Sequence, residues 1–258
     1  MSRFVKLEFG DESREQSLGG EQGVTLDEHY YMVEAQAAFE SADFEKALRY
    51  FAKVLEFNPQ NAAAWTAQVR MLVELGEYRE AKLWADKALE RFPQEPELLA
   101  AKAVALGRSG DLDTALALSD AAIEEHGDTP YVWLARGDVL LARKESLSDY
   151  CFDKAMMLAN GDWFIAWLAA RIRSFYKQFV LALNLLQQAT AANAENYFLW
   201  LELGRCQEAL GFIGPAETSF LQAKQLNHKS VEVDNALLRL QRRGLGHRFL
   251  GWFRRLKK

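Results

Sequence analysis

The feature that most constrains this chain is a repeat length. Ala47, Ala81 and Ala115 stand 34 residues apart, Ala182 and Ala216 stand 34 apart again, and the gap from Ala115 to Ala182 is 67. The residues that close each period, Pro59, Pro93, Gly127, Asn160, Ala194 and His228, step by 34, 34, 33, 34 and 34. The series Trp65, Leu99, Trp133, Ala166 and Trp200 carries the same single 33-residue step, as does Ala88, Ala122, Ala155, Ala189 and Ala223. One residue is therefore missing between Trp133 and Ala155. Several residue classes sharing one period and one slip identify tandem structural units, and a chain of such units folds by stacking each on the next.

Each period holds two segments of helical spacing. Trp65, Val69, Leu72 and Leu75 fall on one face at a period of 3.6, and Gly76-Glu77-Tyr78 interrupts them. Ala81, Leu83, Ala85, Ala88 and Leu89 resume the pattern until Pro93, whose ring cannot continue the hydrogen-bond ladder. The recurrent small residue near the start of each second segment has a physical use. Two helices approach closely only where one offers Ala or Gly, and an aromatic side chain fills the space beside it. Val, Ile and Thr are sparse here and no stretch alternates as a strand would.

These residues resemble a known family. Trp65 to Glu95, WTAQVRMLVELGEYREAKLWADKALERFPQE, is similar to a tetratricopeptide repeat, following its W-x2-L-G-x2-Y, A-x3-F and terminal P pattern loosely at the start and well afterwards. Phe44 to Asn61 matches the second half of that pattern, and Trp200 to Asn227 matches again with Gly204, Gly211, Ala216 and Phe220 in register. The resemblance covers six repeats over about residues 28–230. It implies an all-α, right-handed α-solenoid of stacked antiparallel helix pairs, with each first helix on the concave side. Residues 231–243 read as a C-terminal capping helix, residues 1–27 as a flexible N-terminal arm, and residues 244–258 as a basic amphipathic tail. Two departures stand out: Glu34 replaces an apolar residue, and Asp149 takes the small-residue position of a fourth repeat with a shortened turn.

Catalytic signatures are absent from the sequence. The histidines His29, His126, His228 and His247 are scattered, Cys151 and Cys206 lie in different repeats, and GLGHRFLG (Gly244 to Gly251) lacks dinucleotide-fingerprint spacing. No enzymatic activity, metal or cofactor is expected. A net charge of −5 argues against coating nucleic acid by bulk charge. Two cysteines exclude a disulfide-stapled fold, and neither a signal peptide nor a membrane-spanning run is evident, so a cytoplasmic protein is expected.

The expected function is that of a non-enzymatic scaffold or adaptor that holds a peptide or helix of a partner protein in its concave groove, mainly in repeats four to six. Projection of the first helices places His29, Met32, Gln36, Ala63, Thr66, Arg70, Glu97, Ala100 and Val104 on that side in repeats one to three. Repeats four to six place Tyr131, Leu134, Asp138, Phe164, Trp167, Arg171, Phe198, Leu201 and Arg205 there, a more aromatic set in which Arg171 and Arg205 stand 34 apart. Aromatic anchors beside arginines suit a groove that desolvates apolar side chains and forks a carboxylate. Positions that match the carboxylate clamp of some family members, Met32, Gln36, Ala67, Glu97 and Ala101, hold no basic residue, so that partner class is not implied.

From Arg239 to Lys258 there are eight Arg or Lys and no acid, which leaves −13 on the rest of the chain. As a helix, Leu245, Phe249, Trp252, Phe253 and Leu256 share a stripe. The residues Arg248, Phe249, Trp252, Phe253, Arg254, Arg255, Lys257 and Lys258 are candidates for contact with an anionic membrane or an acidic partner. This supports an alternative reading, a membrane-peripheral assembly factor tethered by its tail. The same stripe is equally suited to capping the solenoid. In the arm, Arg3 to Phe9 alternates charged and apolar residues and suits an added strand or the protein's own groove. Self-association through open solenoid ends is a further option.

Overall fold

A computed structural model describes residues 26–242 of the 258. Among the described residues there is no strand. Twelve helices follow in order: α1 Glu28–Glu40, α2 Phe44–Phe57, α3 Ala62–Glu74, α4 Tyr78–Leu89, α5 Pro96–Ser109, α6 Leu112–Glu124, α7 Pro130–Ala142, α8 Ser148–Ala159, α9 Trp163–Phe175, α10 Phe179–Ala192, α11 Tyr197–Ala209 and α12 Ile213–Leu226. A thirteenth, α13, covers residues 231–242. The chain forms two compact units that divide within α8, one ending at Cys151 and the other starting at Phe152.

In the first unit α1 with α2, α3 with α4, and α5 with α6 pack as antiparallel pairs, and each second helix also touches the first helix that follows. The first helices α3, α5 and α7 pack directly side by side. In the second unit α9 pairs with α10 and α11 with α12, and α10 also packs on α11.

The turn inside each pair is built the same way six times. Ala42, Gly76, Gly110, Lys144, Lys177 and Gly211 all have positive φ, between 58° and 100°. The next residue's N–H then reaches back to the first helix: Asp43 to Ala38 O, Glu77 to Leu72 O, Asp111 to Leu106 O, Glu145 to Leu140 O, Gln178 to Arg173 O and Phe212 to Gln207 O, at 2.8 to 3.0 Å. This left-handed closure satisfies carbonyls that the helix end leaves open and reverses the chain in two residues.

The small residues sit where the period demands. Ala47, Ala81, Ala115, Ala182 and Ala216 have no exposed surface, and neither do Ala88, Ala122, Ala155, Ala189 and Ala223. At Gly204 the reason is direct, because a Cβ there would collide with the ring of Phe220. The closing residues of the period have their own link to the aromatic series. Trp65 Nε1 donates to Pro59 O at 3.0 Å and Trp200 Nε1 donates to Ala194 O at 2.8 Å.

The slip lies in the turn before α8. The fourth repeat's small position is held by Ser148, 3% exposed, and not by Asp149, which is exposed. The chain leaves the left-handed residue Lys144 and enters α8 only at Ser148, with Ser148 N–H bonding Glu145 O. The missing residue falls between them, so the helix starts later and its later positions, Phe152 and Ala155, stay buried.

Candidate functional site

The first-helix residues of the second unit gather into one ring cluster. On α9, Phe164, Trp167 and Arg171 follow at i, i+3 and i+7, and on α11 Phe198, Leu201 and Arg205 repeat that spacing 34 residues later. The Phe164 and Trp167 ring centroids are 5.3 Å apart, and Phe198 meets Trp167 edge-on at 5.7 Å. The Arg171 guanidinium lies 5.3 Å from the Trp167 ring. Burial divides the six by role. Trp167 and Leu201 are fully buried and Phe198 nearly so, which makes them the packed floor. Phe164, Arg171 and Arg205 are only half-buried and reach the surface.

Arg205 does not stand alone there. It bonds Glu202 at 2.8 Å and Glu232 at 3.0 Å, the latter on α13. The arrangement offers apolar ring edges and a guanidinium in one place, a surface able to desolvate an apolar side chain and bond a carboxylate beside it.

The three candidates of the first unit behave differently. Tyr131 on α7 receives the Arg70 guanidinium of α3 at 3.8 Å from its ring, and the same guanidinium lies 5.0 Å from the Phe39 ring of α1. Burial pushes the Tyr131 phenol well above its ordinary value; Arg70 opposes this, and the carboxylates of Glu97, Glu74 and Asp138 add to it. Leu134 is fully buried. Asp138 is buried too, and Arg108 of α5 holds it: Arg108 Nη2 and Nε donate to Asp138 Oδ2 at 2.6 and 3.1 Å. On the same side, Thr66, Ala100 and Val104 are also buried, between 1% and 4% exposed.

Helix projection names Tyr131, Asp138 and Arg70 as candidates but not the contacts they make. Phe39 and Arg108 are not among its candidates. The signal for Arg108 is present in the period, since it stands 30 residues before Asp138 and α5 neighbours α7. The tail candidates Arg248, Phe249, Trp252, Phe253, Arg254, Arg255, Lys257 and Lys258, and the segment from Arg3 to Phe9, lie outside the described residues. No described helix is long and apolar enough to cross a membrane.

Both cysteines are buried free thiols. Burial raises the Cys206 thiol to about 11, helped by Glu202, and its Sγ donates to Phe179 O at 3.2 Å. Burial raises Cys151 as well, against the pull of Arg136. Among the described residues no group of His, Cys, Asp and Glu is arranged to hold a metal ion.

Family models for the tetratricopeptide repeat match residues 38–105 and 100–146. No curated protein matches the sequence. Among solved structures, the thermophilic tetratricopeptide-repeat protein TTC0263 of Thermus thermophilus superposes with a TM-score of 0.54 at 20% identity, over 71% of this chain and 98% of its own. Human IFIT1, solved as a dimer with m7Gppp-AAAA, superposes with a TM-score of 0.51 at 18% identity, over 84% of this chain. This chain spans 56% of the IFIT1 chain. At such identities the likeness is one of fold, an all-α solenoid of helix pairs. The 34-residue period, the left-handed turns and the buried small-residue seats agree with these matches, and the chain is a tetratricopeptide-repeat protein.

Proposed function

We propose that this protein is a non-enzymatic adaptor that holds a short apolar and acidic segment of a partner protein against the first-helix face of repeats five and six. Tetratricopeptide repeats serve in general as scaffolds for protein interaction. The observation that carries the finer reading is the Phe164–Trp167–Phe198 cluster with Arg171 over its central ring. Trp167 and Phe198 fix the cluster from below, and Phe164 and Arg171 meet the ligand: the ring edge takes an apolar side chain and the guanidinium a neighbouring carboxylate. In the fourth repeat the corresponding positions are occupied internally, with Tyr131 under Arg70 and Asp138 under Arg108. Where the fourth repeat has the buried Asp138, the fifth has the half-buried Arg171, and this exposure favours the second unit as the contact.

The test selects peptides from a displayed random library on the full chain. Enriched sequences are expected to pair an aromatic or aliphatic residue with a nearby Asp or Glu. The double variant Phe164→Ala/Arg171→Glu is expected to weaken the best of them at least tenfold while helicity by circular dichroism is unchanged. Equal binding to the variant, or enrichment of basic peptides, refutes the assignment.

A further inference from the structure

The helix α13 shows an open face that the other first helices keep covered. Two register positions define it. The first is held by Ala35, Val69, Ala103, Gly137, Ala170 and Gly204 in the six repeats, all buried. In α13 the same position is Leu238, which is 53% exposed. The second is held by Ala38, Leu72, Leu106, Leu140, Arg173 and Gln207, again all buried, and in α13 by Gln241, which is exposed.

In the sixth repeat the cover is a second helix. Phe220 of α12 lies over Gly204, and Ser219 Oγ donates to Gln207 Oε1 at 2.8 Å. The face of α13 around Leu238 is thus the place for one more second helix. Meanwhile Val233, Ala236 and Leu240 on another side of α13 are buried. Asn235, Leu238, Arg239 and Arg242 line an open pocket on the uncovered side.

We propose that residues 245–258 of the chain itself occupy this face and complete a seventh helix pair. An offset of 33 residues, one short of the period, carries the argument; the slip before α8 follows the turn residue, whereas this one precedes it, between Gln241 and Gly244. The offset takes the left-handed turn residue Gly211 to Gly244. It also takes three of the four buried positions of α12, Ala216, Phe220 and Ala223, to Phe249, Phe253 and Leu256. All three targets are apolar, and the residue at the turn is Gly, the one best suited to positive φ. Phe253 then stands over Leu238 as Phe220 stands over Gly204. Leucine is larger than glycine, so the seventh pair is more widely spaced, and Phe249 in place of an alanine fills the wider gap. Chain continuity supplies this segment at high effective concentration immediately after α13. The cations Arg248, Arg254, Arg255, Lys257 and Lys258 fall outside the packed positions.

The proposal is independent of partner binding in repeats five and six, and two experiments on the full chain test it. In the first, Leu238→Cys with Phe253→Cys is oxidised in air; a disulfide within one chain is expected, read by intact mass and non-reducing electrophoresis. In the second, Phe249→Ser with Phe253→Ser is followed by hydrogen exchange. Protection over 231–242 is expected to fall at least tenfold while that of α9 and α10 is unchanged. Absence of the intrachain bond overturns the proposal. So does unchanged exchange. Bonds formed between chains identify a second copy as the occupant. Protection of 231–242 that arises only on adding phosphatidylserine vesicles identifies a lipid surface. Either of these results overturns it as well.

Discussion

The buried pair between Arg108 and Asp138 sets up the sharpest test of how the first-helix face of the first unit is held. The two side chains are 6% and 2% exposed, and the guanidinium reaches Asp138 Oδ2 through two nitrogens at 2.6 and 3.1 Å. Removing one partner from such a pair leaves the other charge buried without compensation, which costs about 3–5 kcal/mol. At about 1.4 kcal/mol per factor of ten, this is on the order of 10² to 10⁴ in a local opening equilibrium. Replacing both by apolar residues of similar volume removes the charges together and is often nearly neutral. The predicted pattern is therefore a strong non-additivity. Arg108→Met and Asp138→Leu each lower hydrogen-exchange protection across α5 and α7 by at least a hundredfold, and the double variant recovers to within about tenfold of the parent. Exchange by mass spectrometry is the suitable readout, because stacked repeats open locally and global melting would dilute the effect. Raising salt should leave the single-variant losses unchanged, since a pair this buried is little screened. Losses below threefold in either single variant, or a double variant as weak as the two summed, would refute the claim that the pair is a mutually dependent buried ion pair.

Two more outcomes follow from packing and burial. Gly204→Ala is expected to destabilise the second unit by about 1–3 kcal/mol, because its Cβ must displace the Phe220 ring from a filled core; a thermal midpoint equal to that of the parent would contradict the close approach. With its thiol raised to about 11 by burial, Cys206 stays protonated at pH 8, so its alkylation in the folded protein should be at least tenfold slower than in urea. Peptide mapping after a timed iodoacetamide pulse measures it, and equal rates would show that the site opens freely.

Much of the architecture is legible in the sequence because the packing seats are chemically uniform. Ala81 and Ala88, or Ala216 and Ala223, are small for the same steric reason in every repeat, so a period emerges without any structural knowledge. The slip is legible too, although the small-residue position assigned to Asp149 is off by one. Serine is also small, and only burial separates Ser148 from its exposed neighbour. The site is harder to read. Helix projection names first-helix residues such as Trp167 and Tyr131, but not what meets them. The Trp167 cluster depends on rings 31 residues apart in sequence, and Arg70 reaches Tyr131 on a first helix two repeats further on. Contacts of that kind depend on the spacing between stacked helices, which no local pattern encodes.

The short turn ahead of α8 bears on how such arrays change length. Each residue of an α-helix advances the azimuth by about 100°, so a deletion inside one would swing every later side chain to a new bearing and expose much of its apolar face. Lost from the link between Lys144 and Ser148, the same residue alters only the span of a loop, and Phe152 and Ala155 keep their orientation. Links of this type act as expansion joints: they absorb insertions and deletions that the rods beside them cannot.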